Sequence, residues 1–154
     1  TRFDQLSERH GLDKIKTIGD AYMVVGGLAD NRLAHADQVA DMALEMIELT
    51  RSDPQLRRLG LNLHIGIATG PAIAGVIGAK RFAYDVWGDT VNLASRLTSE
   101  AEPGSILVDK TTFRRLGQRY ACEAPRDILI KGKGSTTTYR LSGKLQTASA
   151  DSPA

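Results

Sequence analysis

The chain has 154 residues, 42% of them hydrophobic, enough for one domain with a buried core and too few for two ordinary ones. Its 20 Lys and Arg against 18 Asp and Glu leave a formal net charge of +2, so a general nucleic-acid-binding role is not indicated. The single cysteine, Cys122, excludes an intramolecular disulfide; it is read as a small buried apolar residue in a reducing, cytoplasmic setting.

No apolar run approaches transmembrane length and no signal-peptide pattern opens the chain, so no membrane contact by this segment is expected. Residues Thr1 to His10 read as the last turns of a helix, ended by Gly11. A helix already under way at the first residue predicts a piece of a longer chain. A strand from Asp13 to Ile18, the pair Gly19-Asp20 and a second strand from Ala21 to Gly26 then form a hairpin, with Asp20 at its tip. Val39, Met42, Ala43, Met46 and Ile47 follow the helical period, which predicts a helix over Asp37 to Leu49 with its methionines in the core. Asp53-Pro54 is expected to end it.

Leu61, Leu63, Ile65 and Ile67 alternate with more polar or smaller residues, the pattern of a strand with one apolar face. His64 lies on the less apolar face and is read as structural. Gly70-Pro71 turns into a run of small residues, Ala72 to Ile77, and then into FAYDVWGDTVNLASRL, Phe82 to Leu97. This segment begins as a strand, breaks at Gly88, and continues as a helix that Asp89 is expected to cap. In that helix Asp89, Asn92 and Arg96 share one face, while Thr90, Leu93, Ala94 and Leu97 form the opposite one. Further strands are expected at Ser105 to Val108, near Tyr120 to Glu123, at Ile128 to Ile130 and at Thr136 to Leu141, with a short helix around Thr111 to Leu116. Residues 142 to 154 read as a disordered tail. Hairpins and crossovers mix, so the fold class is α+β with a mixed sheet.

The string Y-D-x-W-G-D-T-V-N-x-A-S-R, from Tyr84 to Arg96, resembles the signature of the class III nucleotidyl cyclases, most of all bacterial adenylyl cyclases of the actinobacterial type. Three further segments resemble the same family in the family's order: KIKTIGDAYM at 14–23, HIGIATGPAIAG at 64–75 and IKGKG at 130–134. The resemblance runs from Thr1 to about Leu141. It implies a ferredoxin-like, palm-type sheet with helices packed on it, and a head-to-tail homodimer whose two clefts draw residues from both subunits. It also implies a domain over 1–141 that lacks the family's first strand and first helix. That strand carries the family's second metal aspartate in a pattern like F-x-D-x-x-x-F, and Phe3-Asp4 stands in the wrong context to replace it.

Carried over residue by residue, the resemblance gives Asp20 as a ligand of two divalent cations, Mg²⁺ or Mn²⁺, which suit hard carboxylate oxygens. Asn92 and Arg96 would orient the ribose and neutralise the reacting α-phosphate. Lys131, rather than Lys133, would bind the terminal phosphates. Lys16 and Asp85 match the base-reading positions, and their chemistry can be argued independently. Adenine offers an acceptor at N1 and a donor at N6; a lysine only donates and an ionised aspartate only accepts. The pair therefore predicts ATP over GTP as substrate, cyclised to 3′,5′-cyclic AMP with release of pyrophosphate. An ordinary salt bridge between two strands, a guanylyl or relaxed-specificity cyclase, and a non-catalytic nucleotide-binding or dimerisation module stay open on the residues alone.

Overall fold

The computed structural model describes residues 2–18, 21–27, 35–60, 62–71, 73–77, 83–130 and 134–145, and for 16–18, 73–77 and 83–87 it describes the backbone. The elements in chain order are α1 (Arg2–Arg9), β1 (Asp13–Ile18), β2 (Ala21–Val25), α2 (His35–Ser52), α3 (Pro54–Arg58), β3 (His64–Ile67), β4 (Ile73–Ile77) and β5 (Ala83–Trp87). There follow α4 (Asp89–Glu100), β6 (Ser105–Asp109), α5 (Lys110–Leu116), β7 (Tyr120–Cys122), β8 (Arg126–Ile130) and β9 (Gly134–Lys144).

β6 is buried at every position because both faces of the sheet are covered there, which is why its middle reads as the unbroken apolar run Ile-Leu-Val. Successive side chains of a strand point to opposite faces, and two cores divide accordingly. Ile106 and Val108 join Ala40, Ala43 and Ile47 of α2, while Leu107 joins Leu97 of α4 and Ile128 of β8. The small residues Ala36, Ala40 and Ala43 let α2 approach the sheet closely. Met42 and Leu97 are almost wholly buried, each worth about 1.5–3 kcal/mol of transfer free energy.

β3 and β6 run parallel, in the register His64↔Ser105 to Ile67↔Val108. β9 is antiparallel to β6, β7 and β8, so the sheet is mixed. The order is β3-β6-β9-β7 with β8 also on β9; β1–β2 and β4–β5 form separate antiparallel pairs. A third core, Leu6, Leu12 and Met42 with Tyr22 and Val24 against it, joins α1 and β2 to α2. No described helix is long and apolar enough to cross a membrane.

Most elements fall within two residues of the sequence expectation, and four places carry the larger or more telling differences. α2 stops at Ser52, before Asp53-Pro54 as expected, but the same pair also opens a short helix that was not expected: Asp53 Oδ1 accepts from the backbone N–H of Gln55 (2.9 Å) and Leu56 (3.2 Å), and a proline in the first turn needs no N–H partner. α2 extends beyond 37–49 at both ends. β3 starts only at His64, because its ladder partner begins at Ser105 and the carbonyl of Leu63 instead accepts from Gly104 N–H at 2.6 Å. β9 runs on to Lys144, since Gly143 and Lys144 pair with Ala121 and Tyr120. The expected tail therefore loses its first three residues to the sheet, and 146–154 lie outside the described residues. The hairpin tip Gly19-Asp20 and the loop 131–133 also lie outside them.

Candidate functional site

α4 carries the two best-placed candidates. Gly88, with φ 129°, occupies the cap position without a side-chain cap, and Asp89 is the first helical residue. The expectation that Asp89 caps the helix is corrected to that extent; in the first turn its charge favours the positive end of the helix dipole. A side chain at position 88 would be strained at that φ. The expected division of faces holds: Asp89, Asn92 and Arg96 are exposed, whereas Thr90, Leu93 and Ala94 are half-buried and Leu97 is fully buried.

The guanidinium of Arg96 donates from Nη2 to the carbonyl of Leu129 at 3.0 Å and stands 4.0 Å from Glu100 one turn further on. Leu129 lies in β8, two residues before Lys131. Arg96 thus ties α4 to the strand that leads into the segment 131–133. Lys131 itself lies outside the described residues.

Lys16 sits in β1, its backbone paired with Met23 of β2, with a register shift between Lys14 and Lys16. Asp85 sits in β5, its backbone paired with Gly75 of β4. β1 and β5 belong to separate strand pairs, and their Cα atoms approach within 8 Å. The two candidate base readers, 69 positions apart in the sequence, are therefore brought onto strands that approach each other. Asp20 lies outside the described residues, among which no group of three or more His, Cys, Asp or Glu is placed to hold a metal ion.

Asp4 has a structural role. It accepts from the hydroxyl of Tyr22 at 2.5 Å and pairs with Lys14 at 3.2 Å, bracing the β1–β2 hairpin on α1. Burial first, then the bond to Asp4, pushes the Tyr22 hydroxyl up to about 12. His64 Nδ1 donates to the carbonyl of Ala101 at 2.8 Å, so it joins β3 to the end of α4, in keeping with a structural reading. Cys122 is half-buried and its thiol is pushed up by burial, which lowers its reactivity.

Positions that sequence reasoning passed over set the height of α4. A Cβ on Gly66 of β3 would lie 2.5 Å from the backbone N of Thr98, and one on Gly70 would lie 2.6 Å from Thr90 Oγ1. Nothing in a single sequence marks these glycines as contact points, because their partners are 32 and 20 residues away.

Comparisons with known proteins identify the family. A family model described as the adenylate and guanylate cyclase catalytic domain matches residues 1–143. An adenylate cyclase of Mycobacterium bovis is 43% identical over 142 residues, which cover 92% of this chain and 32% of that protein. The chain thus spans about a third of that relative's length. The guanylate cyclase domain of RhGC from Catenaria anguillulae, solved in complex with GTP, superposes with a TM-score of 0.86 at 32% identity, covering 94% of this chain and 79% of that one. The catalytic core of a rhodopsin-guanylyl cyclase with converted specificity, solved with ATPαS, gives a TM-score of 0.84 at 34% identity, with 93% and 78% covered. The chain belongs to the adenylate and guanylate cyclase catalytic domain family, the class III nucleotide cyclases.

Proposed function

We propose that this chain is the catalytic part of an adenylyl cyclase, converting ATP to 3′,5′-cyclic AMP and pyrophosphate. The observation that supports the reading is that β1, which holds the pure donor Lys16, and β5, which holds the pure acceptor Asp85, approach each other within 8 Å. Adenine's N1 and N6 edge asks for that combination. The 43% identity to a mycobacterial adenylate cyclase supports it. A cyclase for GTP is the rival, favoured by the GTP complex of a neighbour at 32% identity.

In the reaction the ribose 3′ oxygen attacks the α-phosphorus in line and pyrophosphate leaves, so the protein's task is positioning and charge neutralisation. Asn92 orients the ribose by hydrogen bonding. Arg96 meets the charge that builds on the α-phosphate, a role its permanently charged planar fork suits. To do so it must leave, or share, its bond to the Leu129 carbonyl. Lys131 holds the terminal phosphates. Cyclases of this family use divalent metal ions; two, Mg²⁺ or Mn²⁺, would be held in part by Asp20, and when bound they supply positive charge at the phosphate oxygens. No residue of this chain is assigned as their second carboxylate. Two copies would pair head to tail in the cytoplasm, each site taking residues from both.

The test is a single reaction containing Mn²⁺ and equal ATP and GTP, run with this segment and with the complete protein, and scored for both cyclic nucleotides. Cyclic AMP is expected to dominate in the complete protein. Dominant cyclic GMP would overturn the base assignment. No product from the complete protein would favour a non-catalytic module.

A further inference from the structure

Asn92 and Arg96 are useful only if α4 is held at one height against the sheet, yet α4 lacks a side-chain cap at Gly88. What fixes its first turn is Thr90. Thr90 Oγ1 donates to the carbonyl of Pro71 at 2.6 Å and sits where only a glycine at position 70 leaves room for it. The turn that receives this bond is itself fastened to the core. Asp109, buried at the end of β6, accepts from Thr112 N–H at 3.0 Å and from the Thr112 hydroxyl at 2.5 Å. With that hydroxyl proton committed, Thr69 Oγ1 must donate in the 2.6 Å contact to Thr112 Oγ1, and Thr69 N–H also reaches Asp109 at 3.3 Å. Thr112 has no solvent exposure, so water does not compete for its two bonds to Asp109, whose geometry is set by the core. The chain of contacts runs from Asp109 through Thr112, Thr69 and the Gly70-Pro71 turn to Thr90, two residues before Asn92.

We propose that Thr90 is a positioning residue of the cyclisation step: its hydroxyl holds the first turn of α4 against the Gly70-Pro71 turn, at the height at which Asn92 meets the ribose. This rests on the cyclase reading above. Thr90 lies on the half-buried face, opposite Asn92, so it acts through the helix and not on the nucleotide. Its loss should therefore appear in the chemical step more than in ground-state binding.

The experiment compares Thr90→Val, which keeps the shape, and Thr90→Ser, which keeps the hydroxyl, in the complete protein. We expect Thr90→Val to lower kcat by about tenfold with KM changed by less than about threefold, and Thr90→Ser to restore kcat to within about threefold of the parent. A Thr90→Val enzyme with kcat within about twofold of the parent, or a serine that fails to rescue, would overturn the proposal. Amide hydrogen exchange over residues 89–92 keeps the two readings apart. If the parent protein cyclises neither nucleotide, the cyclase reading has failed. Faster exchange in Thr90→Val but not in Thr90→Ser would then still sustain the tether, and equal exchange in both would overturn it.

Discussion

Tyr120 donates its hydroxyl to Asp41 Oδ1 at 2.5 Å across 79 residues of sequence. The same hydroxyl lies 3.2 Å from the carbonyl of Asp37. Arg119 pairs with Asp37, and Lys144 reaches Asp41 at 3.3 Å and also stands over the Tyr120 ring. The first turns of α2 are thus clamped to β7 and to the end of β9, far in sequence from the candidate site on α4.

Removing the hydroxyl with Tyr120→Phe keeps the ring in its buried place and deletes the bond between α2 and β7. We expect a loss of about 1 kcal/mol in urea unfolding, with cyclase activity unchanged within about twofold, because the clamp touches no assigned site residue. Burial first, then Asp41, raises the Tyr120 hydroxyl above the ordinary phenol value of 10.0. A raised folded value means that the stabilisation is complete below the unfolded value and is lost as pH climbs through the folded one. The stability gap between parent and variant should therefore hold at neutral pH and shrink only in strong alkali.

Asp37 offers a test of opposite practical range. Burial, the largest cause, raises its carboxyl above 3.8, although Arg119 pulls the other way. The folded protein thus takes up this proton more readily than the unfolded chain does. Its contribution is full below 3.8 and declines as pH rises through the folded value. Relative to Asp37→Asn, the parent should gain stability on acidification through that window. Urea midpoints of the two proteins compared across the acid range would show it, and parallel curves would contradict it.

Gly66→Ala should be severe. The added methyl would stand 2.5 Å from the backbone N of Thr98, and a helix backbone cannot swing aside as a side chain can. Either α4 lifts off β3 or the strand bends, at a cost of about 1–3 kcal/mol. We expect a lower melting temperature together with a large loss of kcat, since Asn92 and Arg96 ride on the displaced helix. An alanine variant with the parent's melting temperature would show that β3 and α4 have room for a methyl at position 66.

Local features of this site were legible in the chain, and tertiary ones were not. The spacing of Asp89, Asn92 and Arg96 gave the exposed face of α4, because a helix period needs only neighbours three and four residues away. β6 was readable from its unbroken apolar run. Asp53-Pro54 was read correctly as ending α2, but the short helix it opens was missed, because only the Asp53 cap reveals that second role. The bond from Arg96 to the Leu129 carbonyl, 33 residues on, leaves no trace in either segment, since every residue offers a backbone carbonyl. The Gly66 and Gly70 contacts were equally silent.

Arg96 separates activity from stability. Its side chain is partly exposed and its pair with Glu100 is a 4.0 Å surface contact, the kind that contributes little to folding. Arg96→Ala also loses the exposed bond to the Leu129 carbonyl, so it should lower kcat by about a hundredfold or more while moving urea unfolding by no more than about 1 kcal/mol. Arg96→Lys should recover little, because an ammonium cannot present two parallel donors to one phosphate. Full recovery by lysine would reduce the role of Arg96 to that of a point charge.

Lys16→Glu tests the base reading itself. The variant replaces a group that can only donate with one that, ionised, can only accept. The adenine edge then meets two acceptors, and its N1 lone pair is left facing a carboxylate. The guanine edge supplies the N1–H that a carboxylate at position 16 can accept, although Asp85 still opposes its O6. The prediction is accordingly asymmetric: ATP turnover should collapse, GTP turnover should change much less, and the ratio of kcat/KM for ATP over GTP should fall by about a hundredfold or more. That ratio, measured on parent and variant with the same metal, decides the matter. A preserved ATP preference would mean that Lys16 does not read the base, and that whatever selects the nucleotide lies elsewhere than at position 16.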